Sequence, residues 1–140
     1  MKNPISQNTI NKIRSLLASE KEIISAYVFG SRAKGKETKS SDLDIGILCL
    51  EKSAVNQRRL ATDIQKLISG TETDVVLADL SNNPLLLIQI INGNLIYEKN
   101  SRERTNLESR VLFSYEDSKH FRNIKKFYLE KSFKEGIYAY

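Results

Sequence analysis

A chain of 140 residues with 40% hydrophobic and 28% charged side chains suits one domain and leaves little over for a second. Its longest apolar run, Leu85–Ile91, is broken by Gln89 and far too short to span a bilayer. The first ten residues lack the apolar core of a secretory signal, so a cytoplasmic protein without membrane contact is expected. The net charge of +5 and a pI near 9.3 favour anionic partners. No basic strand interleaved with aromatics and no zinc-ligand spacing is present, so direct nucleic-acid binding is not expected.

Ile10, Ile13, Leu16 and Leu17 recur at helical spacing and predict an amphipathic helix over residues 6–19. Residues 24–29 (ISAYVF) are β-branched and aromatic and stop at Gly30, as a strand does. GSRAKGKETKSS, with two glycines, four basic residues and no large apolar side chain, reads as a loop or short polar turn. DLDIGILCL then resumes strand alternation and ends near Cys49, the single cysteine, which reads as a core thiol. Ser53 is placed to cap a helix carrying Leu60, Ala61, Ile64, Leu67 and Ile68 and ending at Gly70.

TDVVLADL predicts a third strand. Asn83-Pro84 starts a short apolar helix that ends at Gly93, and NLIYE a fourth strand. From residue 101 onward, Leu107, Val111, Tyr115, Phe121, Ile124 and Phe127 are spaced for one long helix or two shorter ones. The expected fold class is α+β, a mixed sheet flanked by helices: a core over residues 1–100 and a helical extension over 101–140. Phe113, Tyr115, Phe121, Phe127, Tyr128, Phe133, Tyr138 and Tyr140 crowd that extension. From Phe113 to Phe127 they suit either packing on the sheet or a partner, and from Phe133 to Tyr140 a partner contact.

The chemistry concentrates between Gly30 and Asp44. Strand residues two apart share a face, so Asp42, Asp44 and Gly46 look one way and Leu43, Ile45 and Ile47 the other. Two neighbouring carboxylates repel unless a cation lies between them, and hard oxygen ligands suit Mg²⁺. Gly30-Ser31 follows a strand directly, where backbone N–H groups and the Ser31 hydroxyl suit a phosphate; Arg32 adjoins that turn. Lys34, Lys36 and Lys39 read as a solvated loop face and Ser41 as a turn cap. Asp74, opening the third strand, is the candidate third acid. Asp79 is its rival, although the Ser81-Asn82-Asn83 turn beside it suggests capping. His120 sits on an exposed helix and is not assigned to catalysis.

Gly-Ser, ten intervening residues and Asp-x-Asp resembles the signature of the DNA-polymerase-β-type nucleotidyltransferase superfamily. Over about residues 10–98 the pattern is similar to the minimal nucleotidyltransferases called MntA, the antitoxins of HEPN/MNT pairs. The resemblance implies a nucleotidyltransferase fold, two Mg²⁺ ions held by Asp42, Asp44 and Asp74, and ATP as substrate, its phosphates oriented by Gly30, Ser31 and Arg32. It further implies a cognate HEPN-domain ribonuclease toxin as partner, silenced by AMP transfer to a tyrosine hydroxyl. Two alternatives remain open to the sequence: a small-molecule nucleotidyltransferase of the aminoglycoside type, and a non-catalytic antitoxin that neutralises by binding.

Overall fold

The computed structural model describes residues 5–30, 43–68 and 70–134, with side chains in the last helix described as far as Lys119 and at Asn123 and Lys126. Among the described residues, four strands and four α-helices follow in the order α1 (Gln7–Ala18), β1 (Ile23–Phe29), β2 (Leu43–Cys49), α2 (Gln57–Leu67), β3 (Thr73–Ala78), α3 (Pro84–Ile91), β4 (Asn94–Glu98) and α4 (Ser101–Lys134). This is the expected order of elements and the expected α+β class. The sheet runs β3-β2-β1-β4. It is mixed: β1 pairs antiparallel with β2 and β4, whereas β2 and β3 are parallel and joined through α2.

The boundaries have local causes. Ser6 caps α1 by accepting from the Thr9 N–H, and Asn83 caps α3 ahead of Pro84 by accepting from the Leu85 N–H. Ser53 does not cap α2. It lies in a short 3₁₀ turn, Lys52–Ala54, and Asn56 caps the helix instead by accepting from the Arg59 N–H. Both residue types make good caps, and the extra turn decides which one is used.

Both faces of the sheet are covered. On one, Ile10, Ile13 and Leu17 of α1 and Leu60 and Ile64 of α2 pack on Val28, Leu43, Ile45, Ile47 and Cys49. On the other, Leu87 and Ile90 of α3 and Leu107 and Val111 of α4 pack on Ile24, Tyr27, Phe29, Leu48 and Ala78. The first turns of α4 are thus part of the core. A polar chain reinforces the seating: the Tyr27 hydroxyl donates to Glu108, and Arg104 bridges Glu108 and Glu98. Burial pushes the Tyr27 hydroxyl well above its ordinary range, so it stays a donor. Beside Val111 on α4, Leu112 and Phe113 are exposed.

Candidate active site

Strand register decides which acids can meet. Asp44 of β2 lies opposite Phe29 of β1 on one side and opposite Asp74 of β3 on the other. Direct cross-strand partners share a face, so the two carboxylates rise from one side of the sheet, on strands about 4.8 Å apart. That side is the α3/α4 side: Gly46, two residues on from Asp44, lies against Ile90, while Leu43, Ile45 and Ile47 are buried under α1 and α2. Asp44 is half-buried and Asp74 exposed, so the pair sits at an open rim of the sheet.

Gly30 closes the third side. Its φ of +80° lies in the left-handed region that favours glycine. A β-carbon placed there would stand 2.4 Å from Asp44 Oδ2. The Asp44 carboxylate therefore rests directly on the Gly30 backbone, in space that exists because residue 30 has no side chain.

Asp79 has a different fate. Its Oδ2 accepts from the Lys52 N–H, and its Oδ1 from the Ser81 N–H and hydroxyl. Burial works to raise its carboxyl, but these hydrogen bonds and the Lys52 charge outweigh that and hold it below the ordinary carboxylate range. At about 3.3 Å per strand residue it is roughly 16 Å along the chain from Asp74, past the opposite end of β3. Asp79 organises a turn, and Asp74 is the acid level with Asp44.

Of the residues singled out in the sequence, Gly30, Asp44 and Asp74 are brought together. Ser31, Arg32, Lys34, Lys36, Lys39, Ser41 and Asp42 lie outside the described residues, as do the side chains of His120 and of Phe121 onward among the aromatics. Among the described residues no three His, Cys, Asp or Glu side chains gather as a metal cluster. What they contribute is two paired carboxylates at an open rim, hard oxygen donors of the kind Mg²⁺ takes alongside substrate oxygens. The donor set fits such an ion.

The polymerase beta, nucleotidyltransferase family matches residues 11–102, which run from within α1 to the start of α4 and hold Gly30, Asp44 and Asp74. The chain belongs to this nucleotidyltransferase family. No curated protein matches it. Among solved structures it is similar to a toxin–antitoxin with AMP-PNP, at 19% identity and a TM-score of 0.62, covering 92% of this chain and 99% of that one. It is similar to an MntA–HepT toxin–antitoxin, at 20% identity and a TM-score of 0.59, covering 91% and 99%. A third is the tri-AMPylated HEPN toxin of Shewanella oneidensis in complex with its MNT antitoxin, at 20% identity and a TM-score of 0.63, covering 90% and 99%. At these identities the likeness is one of fold. Among the described residues no helix is long and apolar enough to cross a membrane.

Two glycines of the nucleotidyltransferase were not read from the sequence for what they do. Gly46 and Gly93 have no room for a β-carbon: one would meet Ile90 Cγ2 at 2.6 Å, the other the Val28 carbonyl oxygen at 2.3 Å. A glycine inside an otherwise apolar strand is the sequence signal that points to Gly46.

Proposed function

We propose that this nucleotidyltransferase is an antitoxin of the MntA type, which transfers AMP from ATP to a tyrosine hydroxyl of a cognate HEPN-domain toxin. The observation that carries the reading is the Asp44–Asp74 pair, with Asp44 resting on Gly30, within a chain matched to a nucleotidyltransferase family. The extent of the fold likeness supports the antitoxin role, since it takes in nearly the whole of chains solved in toxin–antitoxin complexes.

Asp42, Asp44 and Asp74 would hold Mg²⁺, which supplies charge neutralisation on the phosphates when bound. The rest is the work of the chain itself. Gly30 and Ser31 orient the outgoing phosphates through backbone N–H groups and a hydroxyl, with Arg32 adding positive charge. The acceptor oxygen attacks the α-phosphorus in line. Its bond to phosphorus forms as the bond to the bridging α–β oxygen breaks, and pyrophosphate leaves. The acceptor's proton passes to the Asp74 carboxylate, which the open rim leaves accessible. The exposed Leu112 and Phe113 of α4 supply a surface for the protein that brings the acceptor.

The test is transfer of label from α-labelled ATP to a purified candidate HEPN-domain partner. Labelled tyrosine on that protein, lost in Asp44→Ala and Asp74→Ala, is the expected result. Tight complex formation without label would overturn the catalytic reading in favour of neutralisation by binding. Label on a small acceptor in place of the protein would overturn the antitoxin reading.

A further inference from the structure

Rows of side chains run across the α3/α4 face of the sheet. The outermost described row is Phe29, Asp44 and Asp74, and the next one inward is Tyr27, Gly46 and Val76. In the middle of that second row there is no side chain at all. The space above Gly46 is filled by Ile90 of α3, which is fully buried. An added β-carbon at Gly46 would meet Ile90 Cγ2, Cγ1 and Cδ1 at 2.6, 2.7 and 3.1 Å. The helix thus lies directly on the backbone of the strand that carries Asp44, one side-chain repeat away from the acid.

The same helix end also bears on β1. Just past α3, Gly93 packs so closely that a β-carbon would meet the Val28 carbonyl oxygen at 2.3 Å and Phe29 Cβ at 2.9 Å. Phe29 is the cross-strand partner of Asp44 and precedes Gly30. One short element therefore presses on both strands of the site, through a side chain on β2 and through its terminal turn on β1.

We infer that Ile90 is a positioning residue, whose contact with Gly46 sets the height of β2 and so the placement of the Asp44 carboxylate against Gly30. The inference rests on the reading of Asp44 as a ligand at a nucleotide site. Strand β2 is held from the other face by Leu43, Ile45 and Ile47, so it has no slack toward α1 and α2. Pressure from the α3 side must appear as a tilt of the strand or a retreat of the helix. Moving a carbon from 2.6 Å to ordinary contact near 3.6 Å takes a shift of about 1 Å. A misplacement of that size is enough to cost about 100-fold in rate.

The test reads binding as well as turnover, with Mn²⁺ and AMP-PNP as probes followed by electron paramagnetic resonance. Gly46→Ala is expected to weaken Mn²⁺ affinity in the presence of AMP-PNP by about 10–100-fold, the range seen when support behind a metal ligand is lost. Gly46→Ala/Ile90→Ala, which trades one methyl for the side-chain atoms it displaced, is expected to restore most of it. Leu17→Ala, a buried change in α1 on the opposite face, should lower Tm without moving the affinity. Ile90→Ala, which removes Cγ1, Cγ2 and Cδ1, carries the test should Gly46→Ala not fold, and is expected to bind severalfold more weakly.

Parental affinity in a folded Gly46→Ala, or in a folded Ile90→Ala where that variant stands in, would overturn the inference. So would a folded double variant that binds as weakly as Gly46→Ala. Failure of the unaltered protein to bind Mn²⁺ with AMP-PNP would remove the nucleotide-site reading itself, and the inference with it.

Discussion

Replacing Gly30 by alanine puts a methyl group where the Asp44 carboxylate now rests. Two costs follow, and they are measured separately. The backbone cost comes from φ at +80°, a region that costs an L-residue about 1–2 kcal/mol. In a domain of this size that corresponds to a fall in Tm of roughly 3–10 °C. The second cost is geometric. The new carbon would stand 2.4 Å from Oδ2, whereas ordinary contact begins near 3.4 Å, so the carboxylate or the turn must give by about 1 Å. Displacement on that scale is worth about 100-fold in rate, or about 2.7 kcal/mol of transition-state stabilisation. The assay is kcat/KM for transfer from α-labelled ATP, paired with a thermal melt. A Gly30→Ala protein with the lowered Tm but kcat/KM within about threefold of the parent would refute the reasoning. The double variant sharpens it: if Gly30 acts through Asp44, adding Gly30→Ala to Asp44→Ala costs little further activity.

Asp74→Asn should abolish transfer and leave the thermal transition nearly in place, since that side chain is exposed, while Asp79→Ala should do the reverse. Loss of the Asp79 turn should cost roughly 1–3 kcal/mol by urea titration, because three donors lose their acceptor. The depressed Asp79 carboxyl gives this a pH signature: its contribution is present above the ordinary carboxylate pKa and lost as pH falls through the lower folded value, so the gap to the parent narrows under acid. Cys49 is buried and its thiol pushed up to about 11, so alkylation of the native protein near pH 8 should be slow until denaturant is added. Because that pKa is raised, the stability it contributes is present below the ordinary thiol value and lost as pH climbs toward 11; Cys49→Ala should flatten the alkaline limb. Tyr27→Phe removes the hydroxyl that holds Glu108 and should cost about 1 kcal/mol by urea titration, with no direct loss at the acid pair.

What could be read from the sequence is what local periodicity carries. The helices and strands announced themselves by spacing, and Asp44 and Gly46 sharing a face away from Ile45 follows from the two-residue repeat alone. The choice between Ser53 and Asn56 as cap turned on a single extra turn, a difference below the resolution of spacing arguments. Tyr27 is separated by most of the chain from the i,i+4 pair Arg104–Glu108, so nothing local ties it to them. The contacts of Gly46 and Gly93 with α3 and β1 are likewise tertiary. A missing side chain shows in the sequence, but what fills its place does not.

The meeting of Asp44 and Asp74 is the instructive case, because it depends on a register between strands separated by a helix. A slip of β3 by one residue would turn Val75 and Leu77 out of the α1/α2 core and drive Asp74 into it. Burying a carboxylate there while exposing two apolar side chains is prohibitive, so the core forbids odd slips. A slip of two residues keeps the faces and would carry Asp74 about 6.6 Å along the sheet, away from Asp44. Hydrophobic pattern alone does not exclude that. Gln65 does. From the last turns of α2 it donates to the Ile68 and Thr71 carbonyls and accepts from the Thr73 N–H, fixing the entry to β3 residue by residue. The Leu43 N–H then takes the Glu72 carbonyl and starts the ladder in that register. The acid pair is therefore set by an amide on a helix that touches neither carboxylate's face, and the same logic explains why a functional pair can be local in one strand and wholly tertiary across two.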